Sequence, residues 1–455
     1  MEYTILRKQY TDFYYKDYTI EESEEVFKAT FHFEIPGLTS FSPSFTLKKP
    51  NALLVGNQKV LKEAVFSLGM VELISYWKTC CPPKVHICCN TLGELQIAWW
   101  KKLYFNGLGE FFYTNGIETS MEDFMEIIPE GNAITGEEVN FRCSGNLIPV
   151  GGGKDSFVTL DLVKEWKKDN CAFVINKVMS AIHSANAAGY SGDTLINPVR
   201  TLDKNMLDLN KQGFLNGHTP FSAMCAFACY VTAIIYHKKY IALSNESSAN
   251  ESTVKGSNVN HQYSKTFEFE KDFNWYTSAY MPLDIHYFSF LRPLSELQIA
   301  GLFSKLKPYH SVFRSCNVGS KEEKWCGHCA KCLFVYILMS AYLPSDEVAG
   351  IFGRDMLNDP EMKELFEQLS GLSDNKPFEC VGTRDEVNIA VAMGIRKYYE
   401  NHQDLPYLYA YYITTKYYAF YKDSSVDWKH YDTDNMLPDM YDQLLKEKLQ
   451  EQITA

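Results

Sequence analysis

The sequence has no surplus of positive charge. Its 44 Lys and Arg residues face 56 Asp and Glu, a formal net charge of −12 at neutral pH. A chain built to neutralise nucleic-acid phosphates needs the opposite balance, so no nucleic-acid partner is expected. It also lacks a long hydrophobic run. The most apolar stretch, residues 221–236, is interrupted by Ser, Thr, Tyr and Cys and falls short of the ~20 residues of a membrane-spanning helix. A buried helix is expected there, and no membrane partner. The opening residues carry no charged segment leading into an apolar one, so no export signal is read and a reducing cytoplasm is the expected setting. Thirteen cysteines in such a compartment are not a disulfide framework, and clustered ones read as metal ligands. No internal repeat is found. What is present is 46% hydrophobic residues in 455, which excludes a largely disordered chain and supports a sizeable core.

At ~150 residues per domain the length suits two or three domains. Residues 1–143 mix short alternating segments, at 30–35 and 84–88, with a helical period at 61–76. They read as an N-terminal α+β domain, and the glycines at 131–136 mark a linker. From 144 to 335 the pattern changes. An apolar strand at 146–150 leads through a glycine run into a helical period at 155–168, then a strand at 171–176, an apolar helix at 221–237 and a strand at 240–244. Strands alternating with helices predict an α/β unit with a parallel sheet. Residues 336–455 read as a mostly helical C-terminal region, with helices at 345–351, 359–372 and the last dozen residues. The tyrosines of 398–421 read first as a packing face, and secondly as a platform for a ring.

The strongest local signal is Pro149-Val-Gly-Gly-Gly-Lys-Asp-Ser156. It follows a strand and opens a helix, which gathers backbone N–H groups and a positive helix end at one spot suited to phosphate. The glycines allow close approach and positive φ. Lys154 adds charge, Ser156 a hydroxyl donor and Asp155 a hard oxygen for magnesium. The turn is not a Walker A loop, because Ile148 stands where that motif begins and Asp155 follows Lys154. It resembles the Ser-Gly-Gly-x-Asp-Ser turn of the PP-loop ATP pyrophosphatases, with Gly151 where that family has its first Ser. The resemblance implies an adenine nucleotide α-hydrolase-like core that cleaves ATP to AMP and pyrophosphate. Val150, Gly151, Gly152, Gly153, Lys154, Ser156 and Asn176 would form its ATP-binding set.

The second signal is Cys326-Gly-His-Cys329-Ala-Lys-Cys332, with Cys316 ten residues upstream. Four thiolates at this spacing match a tetrahedral zinc site, and one without an open position is structural rather than catalytic. An iron–sulfur cluster is the alternative occupant, and His328 a rival ligand. The spacing is similar to the zinc knuckle of 7-cyano-7-deazaguanine synthase, itself a PP-loop enzyme.

Three further stretches hold more polar residues than packing requires: 196–201 with Arg200, 244–251 with Asn245, Glu246 and Ser247, and 261–268 with His261, Tyr263 and Lys265. In an open α/β sheet, ligands sit outside the carboxyl ends of strands, where the second stretch is expected. Arg200, Lys265 and Arg292 suit a carboxylate or a phosphate.

The glycine turn, Ser244–Glu251, Asn260–Glu270, the Cys knuckle and Lys376–Arg384 together resemble the UDP-N-acetylmuramoyl-L-alanyl-L-glutamate epimerase family of bacterial cell-wall synthesis. The resemblance implies inversion of the terminal L-glutamate of a nucleotide-linked dipeptide through a glutamyl-adenylate, with ATP, magnesium and a structural zinc. It implies Asp155 on magnesium, Glu246 and His261 in proton transfer with Cys380 as a further source, and Asn245, Ser247, Tyr263 and Arg384 toward the substrate. The alternatives are a PP-loop enzyme that modifies a base or a tRNA, and a non-catalytic nucleotide-binding protein, the last motivated by Gly151.

Overall fold

The structure is a computed structural model. It describes residues 2–53, 55–139, 141–247, 263–316, 318–319, 322–374, 376–377, 379 and 381–454. His261 and Cys380 lie outside the described residues.

Twelve strands are described: β1 (Asp12–Glu22), β2 (Val26–Ile35), β3 (Thr39–Phe41), β4 (Ser44–Lys48), β5 (Lys84–Ile87), β6 (Glu126–Pro129), β7 (Asn146–Pro149), β8 (Asn170–Phe173), β9 (Leu195–Ile196), β10 (Val199–Thr201), β11 (Tyr240–Leu243) and β12 (His286–Ser289). They form two sheets. The first runs β10-β4-β2-β1-β5-β6, with β3 beside β2. Its β1–β2–β4–β10 portion is antiparallel, and β5 and β6 add in parallel. In β2 the apolar residues fall on alternate positions, so Phe27, Ala29, Phe31, Phe33 and Ile35 share one buried face. That face is covered by the helix Lys59–Trp77, which is buried along most of its length. The approach is close: a Cβ at Gly69 would lie 1.9 Å from the Tyr15 hydroxyl oxygen.

The second sheet runs β12-β11-β7-β8-β9, with every pair parallel. Both faces are buried, as parallel sheets require. Leu147, Phe173, Ile241 and Tyr287 face a core shared with the first sheet. Their neighbours Ile148, Val174, Ala242 and Phe288 face a second core, built with the C-terminal helices. The helices Lys154–Leu162 and Met179–Ala187, which connect β7, β8 and β9, contribute Phe157 and Ala181 to the second core. The helices Phe221–Ile235 and Phe267–Tyr280, on either side of β11, contribute Phe227 and Phe273 to the first. The winding therefore reverses between β7 and β11, which is where open α/β sheets leave a crevice.

The C-terminal helices include Ala330–Ser340, Arg384–Glu400 and Asp439–Thr454. The last of these inserts Tyr441 against Phe288 and Phe290 and hydrogen-bonds Asn146 through the Tyr441 hydroxyl. Tyr409 and Tyr412 are buried in the second core, so part of the tyrosine-rich stretch is a packing face.

Several elements differ from the sequence-based expectation. The helix expected over 155–168 ends at Leu162 and tightens into a 3-10 segment at Lys164–Asp169. The helix expected over 359–372 is Lys363–Ser370, terminated by Gly371 at φ 80°. β10 lies within the expected 144–335 unit yet pairs with β4 of the first sheet. Residues 131–136 pack on the first unit, with Gly131 against the backbone of Cys88 and Asn90. Among the described residues no helix is long and apolar enough to cross a membrane.

Candidate functional site

The carboxyl ends of β7, β8 and β11 open into one cleft of about 500 Å³. After β7 the chain turns through Val150–Gly153 and enters the helix at Lys154. Gly152 sits at φ +88°, and a Cβ there would come within 3.1–3.2 Å of the backbone of Ser180 and Ala181. Only glycine combines that backbone with that packing. The Gly151 N–H donates to Ser156 Oγ at 3.0 Å, which closes the turn on itself. Val150, Gly151, Gly153, Asp155 and Ser156 all line the cleft.

Asn176 follows β8 in the left-handed region, at φ 59°, and borders the same space. Its side-chain oxygen accepts from the Arg200 N–H at 2.7 Å. Asn245, after β11, also lines the cleft, and its side-chain amide donates to Ser289 Oγ at 3.1 Å. Lys265 closes the wall on that side.

Lys154 does not face the cleft. Its ammonium is buried and paired with the carboxylates of Asp155 and Glu296. Burial would lower its pKa, but the two carboxylates outweigh that and raise it. Glu296 is pushed up to about 7 by burial first, and by the neighbouring Asp155 and Glu246 carboxylates against the pull of Lys154. The Glu296 N–H donates to Glu386 Oε1 at 2.7 Å. The glycine turn is thus bolted to the C-terminal helices through a buried chain of charges.

The remaining sequence-selected residues are placed differently. The Arg200 fork, expected to meet a ligand, closes on Glu72 of the Lys59–Trp77 helix at 2.7 and 2.9 Å. Arg292 is 1% exposed and pairs with Glu270 at 3.2 Å. It also donates to the backbone carbonyls of Glu246 and Lys265, so it fastens cleft-forming chain rather than facing the cavity. Glu246 is buried. Ser247 donates to the Leu294 carbonyl at 3.3 Å. Tyr263 is buried against Phe269. Arg384 opens the Arg384–Glu400 helix and donates to the Asp374 carbonyl at 2.9 Å. None of these four side chains lines the cleft.

The cysteine cluster adjoins the cleft, which Cys316 lines. Cys316, Cys326, Cys329 and Cys332 bring their sulfurs together, with separations of 4.0 Å (Cys316–Cys329), 3.7 Å (Cys326–Cys332) and 3.5 Å (Cys329–Cys332). A tetrahedron of sulfurs about 2.3 Å from a zinc ion has edges of ~3.8 Å, so the donor set fits such an ion. Backbone N–H groups of Gly319 and Cys326 donate to Cys316 Sγ, at 3.1 and 3.4 Å. His328 turns out of the cluster toward Arg354.

The knuckle also carries cleft residues that the sequence reading left without a role. Arg314 and Ser315 precede Cys316, Lys331 lies between Cys329 and Cys332, and all three line the cleft. Ser180, Ser222 and Cys225 add to its wall. Burial pushes the Cys225 thiol up to about 12, so it is a poor base. Its place between two thiolates was the available signal for Lys331; Arg314 lies outside the cysteine run and carried none. Nothing local distinguished Ser180, Ser222 or Cys225.

Fold and site define a class: an α/β protein whose parallel sheet presents a glycine turn, hydroxyls and lysines to a cleft backed by a four-cysteine cluster. The chain belongs to the MurL family: residues 4–290 match the MurL N-terminal domain and residues 310–413 the MurL C-terminal domain. It is 32% identical over 352 residues to the UDP-N-acetyl-alpha-D-muramoyl-L-alanyl-L-glutamate epimerase of Xanthomonas oryzae pv. oryzae, covering 76% of this chain and 77% of that protein. It is 34% identical over 334 residues to the protein of the same name from Micromonospora sp., covering 72% and 73%.

Proposed function

We propose that this chain epimerises the terminal glutamate of UDP-N-acetylmuramoyl-L-alanyl-L-glutamate in an ATP-dependent reaction of the PP-loop type. The observation that carries the proposal is the Val150–Ser156 turn at the carboxyl end of β7, in a chain whose relatives are named for that substrate.

The chemistry follows from the substrate's charge. The α-proton beside an ionised carboxylate is very weakly acidic, because its removal builds a second negative charge next to the first. Transfer of AMP to that carboxylate, with loss of pyrophosphate, removes the first charge. A modest base then takes the α-proton, and reprotonation on the opposite face inverts the centre. Hydrolysis releases the D-glutamyl product and AMP.

In this scheme the N–H groups of the turn and the Ser156 hydroxyl bind ATP phosphates at the start of the helix. Lys265 and Lys331 balance negative charge in the cleft. Asp155 would hold magnesium, its carboxylate being a hard oxygen donor on the cleft wall; when bound, that ion offsets phosphate charge. The four cysteines would hold zinc, which supplies structural cross-linking and no open coordination position. His261 and Cys380 are the proton-transfer groups proposed from the sequence; Glu246, proposed there too, is buried and does not line the cleft.

The test is a single reaction in deuterated water with protein, ATP, magnesium and the L-glutamyl substrate. AMP and deuterium at the glutamate α-carbon should appear together, with D-glutamate in the product. AMP without deuterium would move the proposal to another acceptor chemistry, such as base modification. The absence of both signals from folded, zinc-loaded protein would overturn the proposal.

A further inference from the structure

Arg314 stands at the junction of two cavities. It lines the main cleft, and also a side cavity of about 370 Å³ bordered by Ser180, His183, Asn186, Ser311 and Glu323. Its backbone N–H donates to the Gly152 carbonyl at 2.8 Å, so its position is set by the glycine turn itself. Its guanidinium is half-buried. Nε donates to the Glu323 carbonyl at 3.2 Å and Nη1 to the Phe313 carbonyl at 2.6 Å. The Glu323 carboxylate is turned to His183, at 3.3 Å. Among the described residues no carboxylate lies within ion-pair distance of Arg314, and Nη2 makes no hydrogen bond. Arg200 and Arg292 contrast with it, since each is committed to a buried glutamate.

A partly desolvated guanidinium bonded only to carbonyls keeps its full positive charge. Beside it, lining the same cleft, is the glycine turn with its backbone N–H groups. A cation and a row of N–H donors side by side at one cavity match an anion with several oxygens, and the planar fork of arginine matches phosphoryl oxygens in particular. We infer that Arg314 is an anion-binding residue of this cleft that holds a phosphoryl group of a bound diphosphate. The inference rests on the proposed function, which supplies two sources of that chemistry: the pyrophosphate end of ATP and the diphosphate of the UDP-linked substrate. The knuckle thereby has a second duty, because the chain that bears its first cysteine also aims Arg314.

Binding is measured by calorimetry with the full chain, using inorganic pyrophosphate and UDP as separate probes, for wild type, Arg314→Gln and Arg314→Lys. Thermal melting checks that each variant is folded. Arg314→Gln should weaken at least one probe by about 10- to 100-fold, and Arg314→Lys should recover part of the loss. Weakening of pyrophosphate alone assigns the residue to the ATP end, and of UDP alone to the substrate diphosphate. Unchanged binding of both probes in folded Arg314→Gln overturns the inference while leaving the proposed function standing. Failure of wild-type protein to bind ATP, pyrophosphate or UDP overturns both.

Discussion

At the scale of single residues, buried charge decides most of what this protein can tolerate. Arg292 is 1% exposed, paired with Glu270, and tied to two carbonyls and to Ser289 Oγ. Removing one partner of a buried pair strands the other, at a cost of about 3–5 kcal/mol. Arg292→Met should lower unfolding stability by that amount in urea titrations, with the loss due to Glu270 left uncompensated. His86 gives a pH signature. It stacks on Tyr14 and lies 2.9 Å from Asp12 and 2.8 Å from Glu130. Burial lowers its pKa, but hydrogen bonds to the two carboxylates outweigh that and raise it. A histidine raised in the folded state gives stability that is complete below its unfolded value of ~6.5 and lost as pH rises through the folded one. Asp12 is lowered, by the Thr11 hydroxyl and then by His86. Its contribution is present above ~3.9 and lost as pH falls through the folded value. Stability from this cluster should therefore be greatest between the two unfolded values and decline above ~6.5. Thermal melts of wild type and His86→Gln across that range check it: the variant should show a flatter profile above neutrality.

At the scale of elements, the glycine turn and the knuckle make opposite demands. A Cβ at Gly151 would find no neighbour nearer than Ser156 Oγ at 4.0 Å, and the residue has no positive φ. Gly151→Ser should fold normally and bind ATP at least as well as wild type. Gly152→Ala should fail, since it adds backbone strain of about 1–2 kcal/mol to a clash with Ser180 and Ala181. The pair is read by melting temperature and by ATP calorimetry. The knuckle joins residues 316 and 326–332 through four sulfurs. Metal analysis should give one zinc per chain, and Cys329→Ser or chelation should lower the melting temperature, because ion binding contributes directly to folding. Iron with sulfide in place of zinc would reassign the cluster.

At the scale of the whole molecule, the two sheets share a core. Helix Phe221–Ile235 packs between the second sheet and the Lys59–Trp77 helix, β10 completes the edge of the first sheet, and Arg200 of β10 pairs with Glu72 of the Lys59–Trp77 helix. A fragment of residues 1–143 would expose the outer face of Lys59–Trp77 and lose β10. It should fail to give a cooperative unfolding transition when expressed alone, as circular dichroism with urea would record.

Sequence by itself determined the local geometry. Glycine turns and cysteine knuckles are contiguous, so spacing and residue type define them: Gly151, Gly153, Asp155 and Ser156 line a cleft at a strand end, and Cys316, Cys326, Cys329 and Cys332 converge. The parallel α/β pattern was legible for the same reason, since alternation and helical period are properties of short segments. Tertiary structure alone decided which charges face the cavity. Arg200 and Arg292 were as plausible as ligands in the sequence as Arg314 was silent, because their partners Glu72 and Glu270 are chosen by packing and not by spacing. Two-residue and three-residue strands such as β9 and β10 carry too short a pattern to be read, and their places are fixed by the sheets that receive them. Among the described residues the Arg314 guanidinium meets carbonyls and no carboxylate, because the fold sets it beside the glycine turn and turns the Glu323 carboxylate to His183.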